Sequence, residues 1–265
     1  MSRTAKILSL AFIAFWLLTA FAPALIAPGD PLAINPSQAF AKPGAAHLFG
    51  TDESGRDIFT RVIHGARDSL FIGLAATALG MGIAIVLGTI SALAPKWLDE
   101  SILRVLEALY AVPSLLMALL IIAFTGPGVG PAIIAVGLST APGYARLVRS
   151  QIRTLRSSEM LEAATVLGRG QWTKVRNHLV PNALKPLLAL VTLGIGQAVI
   201  WAAALSFLGL GTPPPAPEWG AMLSAGRTYL HLAWWMSLFP GIAIVVVAAG
   251  ATLIGRALGG KVKAP

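Results

Sequence analysis

The chain has 265 residues, 56% of them hydrophobic and only 12% charged, with a mean hydropathy of +0.76. Soluble domains run at about 45–50% apolar and about 25% charged, so a water-soluble core is excluded and much of this surface must face lipid. The absence of cysteine removes disulfides, thiolate metal sites and a cysteine nucleophile, and the net charge of +9 takes its meaning from where the cations lie.

In chain order, six apolar stretches approach the roughly 20 residues that cross ~30 Å of hydrocarbon as a helix. They fall near 7–27, 69–94, 102–124, 131–149, 184–208 and 233–256. The first has a basic start and small residues at Ala22, Ala24 and Ala27, as a cleavable signal does. Its apolar stretch exceeds the roughly 7–15 residues of a signal core, so we read it as an uncleaved span.

Before the second stretch stands Gly50-Thr51-Asp52-Glu53-Ser54-Gly55-Arg56-Asp57. Its two glycines permit a sharp turn. Asp52, Arg56 and Asp57 can cross-pair, and Asp57 and Arg61 stand in the favoured acid-first i, i+4 order. Spacing alone fits an ordered outer loop or a solvated turn. His47, His64, Asp52 and Glu53 show no metal-ligand spacing, and no metal site is expected.

A charge-free run from Ala108 to Ala145 is interrupted by Gly126-Pro127-Gly128-Val129-Gly130-Pro131, which reads as a tight turn between two spans. Within the fourth and fifth spans the notable polar groups are Ser139, Thr140, Gln197 and Ser206. They fit pathway lining or hydrogen bonding between helices. Pro181 and Pro186 bracket the start of the fifth span, and Pro213, Pro214, Pro215 and Pro217 follow its end. The interiors of the six spans carry no Asp, Glu, Lys or Arg, which leaves a self-powered carrier without a titratable relay.

Lys and Arg in short loops set orientation. With the N-terminus inside, only Lys42, Arg56, Arg61, Arg67 and Arg227 fall on the outer face, and the other fifteen of the twenty fall inside. Both termini and the 157–181 loop are therefore expected on the cytoplasmic side, with 28–67 and 210–232 outside. The basic balance is an orientation signal, and no nucleic-acid partner is expected.

In 157–181, Met160, Ala164 and Leu167 recur at i, i+4 and i+7 as one apolar stripe. Ser157 and Ser158 stand where N-caps belong, with Glu159 and Glu162 near the positive helix end. Gly168 and Gly170 permit a reversal. Trp172, Val175 and Leu179 then make a second stripe that Pro181 stops, flanked by Arg169, Lys174 and Arg176. Two readings fit this helix–turn–helix: an amphipathic pair lying on lipid headgroups, or a helix seated in a groove of another protein.

Glu162-Ala163-Ala164, three residues, Gly168 and then Leu179-Val180-Pro181 resembles the EAA loop of bacterial ABC-importer permeases. The Gly50–Asp57 motif resembles the second permease subunit of dipeptide/oligopeptide/nickel ABC importers. So does Ser206-Phe207-Leu208-Gly209-Leu210-Gly211 with Pro217-Glu218-Trp219-Gly220-Ala221-Met222-Leu223, and the likeness covers about residues 5–256. The resemblance implies an all-α polytopic membrane protein of about six transmembrane helices with a cytoplasmic two-helix coupling loop. Residues 1–67 would form the first helix and outer loop, 68–256 the permease core and 257–265 a cytoplasmic tail. It implies ATPase coupling through Glu159, Leu161, Glu162, Ala163, Ala164, Leu167, Gly168 and Trp172. It also implies contact with an extracytoplasmic solute-binding protein through Gly50, Thr51, Asp52, Gly55, Arg56, Asp57, Glu218 and Trp219.

The implied setting is the bacterial cytoplasmic (inner) membrane, with a second homologous permease subunit and two ATP-binding subunits as partners. The implied cargo is peptides, with glutathione-like compounds, nickel chelates or metallophores as the alternatives. Members usually end in an acidic Arg-Asp-x-x-Asp-Pro-like tail, whereas this chain ends Arg256-Ala257-Leu258-Gly259-Gly260-Lys261. Gly255-x-x-x-x-Gly260-Lys261 has phosphate-loop spacing, but Val262 stands where Ser or Thr must hold Mg²⁺. ATP and Mg are thus expected on partner subunits, and this chain is not expected to be an enzyme. Other classes are a secondary carrier or a membrane-embedded enzyme, the latter without a His-Glu-x-x-His or any cysteine.

Overall fold

The computed structural model describes residues 3–174, 176–177 and 180–259 and is predominantly helical. Helix α1 (Arg3–Phe21) leads through an irregular segment to α2 (Ile58–Leu93). Helices α3 (Lys96–Ala111), α4 (Ser114–Thr125) and α5 (Val129–Arg156) follow, then the short pair α6 (Glu159–Val166) and α7 (Gln171–Lys174). The chain ends through α8 (Val180–Phe207), α9 (Trp219–Thr228) and α10 (Trp235–Gly259).

Three helical stretches are long and apolar enough to cross a bilayer, namely α2, Pro186–Phe207 of α8 and Trp235–Ala257 of α10. The third expected span is not one helix. It breaks at Val112-Pro113, where α3 and α4 meet at 90°, the geometry of a broken span or a re-entrant loop. The cause is local: Pro113 disfavours helical backbone at Val112, which is extended at φ −79°, ψ 127°. The first expected span is the shorter apolar helix Ile7–Phe21. The fourth lies in α5, which at 28 residues is long enough to cross but is made less apolar by Ser139, Thr140, Pro142, Gly143, Tyr144 and Arg146.

Helix α2 departs from expectation in the other direction. Its 36 residues start at Ile58 rather than near 69, so the expected boundary at 67 falls inside a continuous helix. Asp57 starts it, its Oδ1 accepting from Thr60 N at 2.8 Å. The first turns are amphipathic rather than uniformly apolar, which hid them from a search for lipid-like sequence. Ile58, Val62 and Ala66 are buried with Trp219, Met222 and Trp235 in one core, outer by the expected topology. A middle core joins Ala76, Ile122, Val136 and Leu205. An inner core joins Met81, Leu106, Val148 and Leu187. Pro181, expected to stop a helix, lies in the first turn of α8, where its fixed φ and missing N–H are tolerated. Val175 and Leu179 lie outside the described residues.

Helices α2 and α5 pack backbone to backbone through small residues, the usual solution where lipid offers no hydrophobic drive between helices. A Cβ on Gly80 would stand 2.7 Å from Gly137 O, and one on Gly88 2.7 Å from Ala145 O and 2.8 Å from Val148 Cβ. Gly82, on the opposite face, has nothing within 4 Å. Gly88→Val is therefore expected to lower the thermal midpoint of the purified protein, overpacking costing about 1–3 kcal/mol, while Gly82→Ala leaves it unchanged. Equal melting curves for the two variants would sink this account of the seam.

Candidate functional site

The α6–α7 pair is a mounted ridge. Gly168 has φ +69°. Around it Arg169 N donates to Ala164 O at 3.1 Å and Gly168 N to Thr165 O at 3.0 Å. This pair of bonds defines a Schellman close of α6 with glycine in the left-handed position. Lys174 Nζ donates to Thr165 Oγ1 at 3.1 Å and ties α7 back onto α6.

The expected stripe of Met160, Ala164 and Leu167 divides between two directions. Ala164 is buried and Leu161 packs against the inner core, so these residues seat α6 on the body. Val166, Leu167 and Trp172 point away from it, at 88%, 75% and 75% exposure. Glu159, Glu162 and Ala163 are exposed on the same short helix. Ser158 takes the N-cap position of α6, but its hydroxyl donates to Leu155 O at 2.6 Å and leaves the α6 amides uncapped. Gly170 is exposed with open space around it.

Just upstream, one carboxylate binds three elements together. Asp99, in the first turn of α3, is 2% exposed. Its Oδ1 accepts from Arg149 Nε at 2.7 Å and from Ser91 Oγ at 2.6 Å. Its Oδ2 accepts from Arg149 Nη2 and from Arg153 Nη2, both at 2.7 Å. The planar arginine fork makes this geometry both strong and directional. Arg156 Nη1 adds a bond to Ala92 O at 3.2 Å. The ends of α2, α3 and α5 are thereby locked where α5 runs into α6. Sequence reading missed this clamp, although the signal was there. Arg146, Arg149, Arg153 and Arg156 recur at helical spacing and share a face, and such a stripe needs an acid opposite it.

The α3–α4 bend opens a groove of about 1030 Å³ walled by α3, α5 and α8. Ser139, Thr140 and Gln197 all line it, together with Tyr110, Tyr144 and Trp201. Neither hydroxyl bridges helices. Ser139 Oγ donates to Val136 O at 3.1 Å and Thr140 Oγ1 to Val136 O at 2.9 Å, within their own helix. Their lone pairs remain as acceptors. Glu107 and Arg146, which the sequence places at span ends, also line the groove. The Arg146 guanidinium carbon lies 5.1 Å from the Tyr110 ring centroid, and Glu107 meets Arg104 at 3.5 Å. Ser206 does not belong here. It is buried beneath α9, where a Cβ on Gly220 would stand 2.7 Å from its own Cβ.

The outer motifs brace each other. Gly50 and Gly55 both have φ +75°. Asp52 Oδ1 accepts from Ser54 N and Arg56 N at 2.9 Å, while Oδ2 faces Arg56 at 3.5 Å and Arg61 at 3.8 Å. The expected Asp57–Arg61 pair does not form. Besides capping α2, Asp57 meets His47 Nδ1 at 2.8 Å, and Arg61 donates to Pro31 O at 3.1 Å and Pro215 O at 3.2 Å. Trp235 Nε1 donates to Thr51 O at 3.0 Å and Trp219 Nε1 to Val62 O at 2.9 Å.

Glu218 caps α9 by accepting from Gly220 N at 2.8 Å and Ala221 N at 2.9 Å. Burial pushes its carboxyl above the ordinary carboxylate range, and the two backbone amides draw it only partly back. Thr51, Asp52, Glu218 and Trp219 are buried, so their side chains shape the outer cap rather than present themselves to a partner. Arg56 and Asp57 keep partial exposure, as does Glu53.

Apolar crossing helices joined through glycine, a polar groove between them and an exposed ridge at one end define a multi-pass membrane transport subunit. Residues 84–264 match the family described as binding-protein-dependent transport system inner membrane component, and the chain belongs to that family. It is 41% identical over 244 residues to the dipeptide transport system permease protein DppC of Alkalihalophilus pseudofirmus, covering 92% of this chain and 80% of that one. It is 38% identical over 239 residues to the probable D,D-dipeptide transport system permease protein DdpC of Escherichia coli K12, covering 90% and 80%. With the glutathione transport system permease protein GsiD of Pectobacterium atrosepticum it shares 37% identity over 216 residues, covering 82% and 72%.

Among solved structures, the MetNI methionine ABC transporter in an inward-facing conformation superposes with a TM-score of 0.63 at 19% identity, covering 77% of this chain and 97% of that one. An amino acid ABC transporter crystallised with histidines gives 0.60 at 15%, covering 77% and 95%. These likenesses carry the helical fold. The chain is thus a permease subunit of an ABC importer, from a family that works with ATP-binding subunits and a solute-binding protein.

Proposed function

We propose that this subunit lines half of an inner-membrane pathway for peptides or a related small solute, facing a second, similar permease. Both termini and α6–α7 lie in the cytoplasm. Two ATP-binding subunits hold the α6–α7 pairs of the two permeases, and ATP with its Mg²⁺ stays on those subunits. A solute-binding protein delivers cargo onto the surface that the buried outer motifs support, near Glu53, Arg56 and Asp57. Peptide cargo is supported by the names of the relatives.

The observation that carries the coupling role is the ridge of Val166, Leu167 and Trp172, three large apolar side chains held out on the α6–α7 pair, which follows the end of α5 that Asp99 clamps. Exposed apolar clusters of this kind mark partner surfaces. Moving a transporter between 1:99 and 99:1 populations of its two states takes about 5.5 kcal/mol of differential binding. A docked helix pair transmits that only when its mounting does not yield.

The test is cross-linking in inverted vesicles. Leu167→Cys should form a disulfide or short bismaleimide adduct with a cysteine placed in the groove of the ATP-binding subunit, and ATP should change its yield. Labelling of the same position by a lipid-borne photoprobe, with no adduct to that subunit at any pairing, would overturn the assignment in favour of headgroup binding.

A further inference from the structure

Resting on the reading of the α3–α5–α8 groove as the transport path, we infer that Arg146 anchors a carboxylate of the passing solute. The pathway is then built for free-acid peptides, oriented with the carboxylate toward Arg146. Arg146 is exposed on the groove wall, and among the described residues no carboxylate lies within ion-pair distance of it. The neighbouring cations are engaged: Arg149 and Arg153 hold Asp99, and Arg104 meets Glu107.

Arg146 stands 17 residues into α5 (146 minus 129), about 26 Å along a helix of about 42 Å, one turn before Arg149 and toward the end of the span. An arginine so placed keeps its head toward water, and here that head looks onto the groove. Its guanidinium carbon lies 5.1 Å from the Tyr110 ring centroid, a cation–π contact that holds the head near the wall while N–H groups remain to donate.

Acceptors share the lining with it. Ser139 and Thr140 have committed their protons to Val136 O and offer lone pairs, Gln197 offers an amide, and the Glu107 carboxylate, which meets Arg104, adds negative charge. Arg149, also on the wall, is taken up by Asp99. One unengaged donor fork with acceptors beside it matches a molecule with a carboxylate at one end and N–H or ammonium groups along the rest. At about 1030 Å³ the groove exceeds a single amino acid and suits a short peptide.

The experiment uses the assembled importer in nanodiscs without nucleotide, with peptide added directly so that the binding protein's own selectivity is bypassed. The chain has no cysteine, so Gln197→Cys adds one thiol whose maleimide labelling can be followed on this subunit's band. Dialanine should slow labelling, and its C-terminal amide should protect roughly tenfold less well, the size of one charge-assisted hydrogen bond. Adding Arg146→Gln should erase the difference between acid and amide, and Arg146→Lys should keep part of it. Equal protection by acid and amide, or a difference that survives Arg146→Gln, overturns the anchor while the path stands. No protection by either peptide with Arg146 intact overturns the path itself. Loss of the second permease from the purified Arg146→Gln complex would instead assign the cation to a carboxylate of that subunit, and overturn the inference.

Discussion

Gly168→Val, alone or with Glu162→Lys, is expected to abolish uptake and solute-stimulated ATP hydrolysis while the protein still inserts and assembles its helices. Gly168 sits at φ +69° with open space where a side chain would go. The substitution therefore collides with nothing and acts through backbone strain alone, about 1–2 kcal/mol for an ordinary residue and more for a β-branched one. That strain falls on the Schellman close holding α7 against α6, and it is relieved by opening the turn. The apolar core is untouched, because Ala164 and Leu161 seat α6 on the body and Gly168 touches neither cluster.

Glu162 is exposed in the first turn of α6. Reversing its charge there costs the helix about 0.3–1 kcal/mol, far too little to unfold the chain, but it places a cation on the face proposed to dock the ATP-binding subunit. The measurement pairs transport in vesicles with a thermal melt of the purified complex. Uptake by the double variant at the parental rate would remove α6–α7 from the coupling machinery. A melt that collapsed with it would show a folding defect instead.

The second large effect is expected at Asp99. Asp99→Ala should destabilise the permease by about 3–5 kcal/mol, the usual consequence of removing one partner from a buried ion pair. The reason is what remains: Arg149, 15% exposed in its side chain, would keep its charge without an acceptor, while Arg153 at 51% can turn to water. Asp99→Leu combined with Arg149→Met should recover more than half of the loss, since two apolar side chains of similar size leave no stranded charge. A double-mutant cycle read by thermal melting measures the coupling. Additive losses would mean that the two residues stabilise the fold separately and that no clamp exists. With the clamp open, the base of α6 loses its anchor, so stimulated ATP hydrolysis should fall even in molecules that remain folded.

Much of the helical plan was legible because its signals are local. The apolar runs gave α2, α8 and α10, the Gly126–Pro131 cluster gave the turn between α4 and α5, and Gly168 gave the close of α6. What the sequence hid was amphipathic or long-range. The first turns of α2 and all of α9 bury one face against tryptophans, so a search for lipid-like stretches left them as loop.

The bend at Pro113 was readable in principle, since proline restrains the residue before it, but uniform apolarity on both sides masked it. Among the proposed lining residues, Ser139, Thr140 and Gln197 do share one groove, whereas Ser206 faces the outer core. The outer motif residues, readable as contacts, are mostly buried struts, because Asp57 caps a helix and Asp52 closes a turn. The Asp99 clamp joins positions fifty residues and more apart, and only the periodic arginines on α5 hinted at it.

Helix α2 deserves a mechanical reading. Its 36 residues form a rod of about 54 Å, well beyond the ~30 Å of hydrocarbon. One tip is wedged beneath the tryptophans of the outer cap, and the other is fastened near Ser91 to the arginines above α6. A stiff beam held at both ends and packed against α5 along its middle moves as one piece. On the proposed coupling through α6–α7, a displacement imposed at that end would be carried undiminished to the other, about 50 Å away.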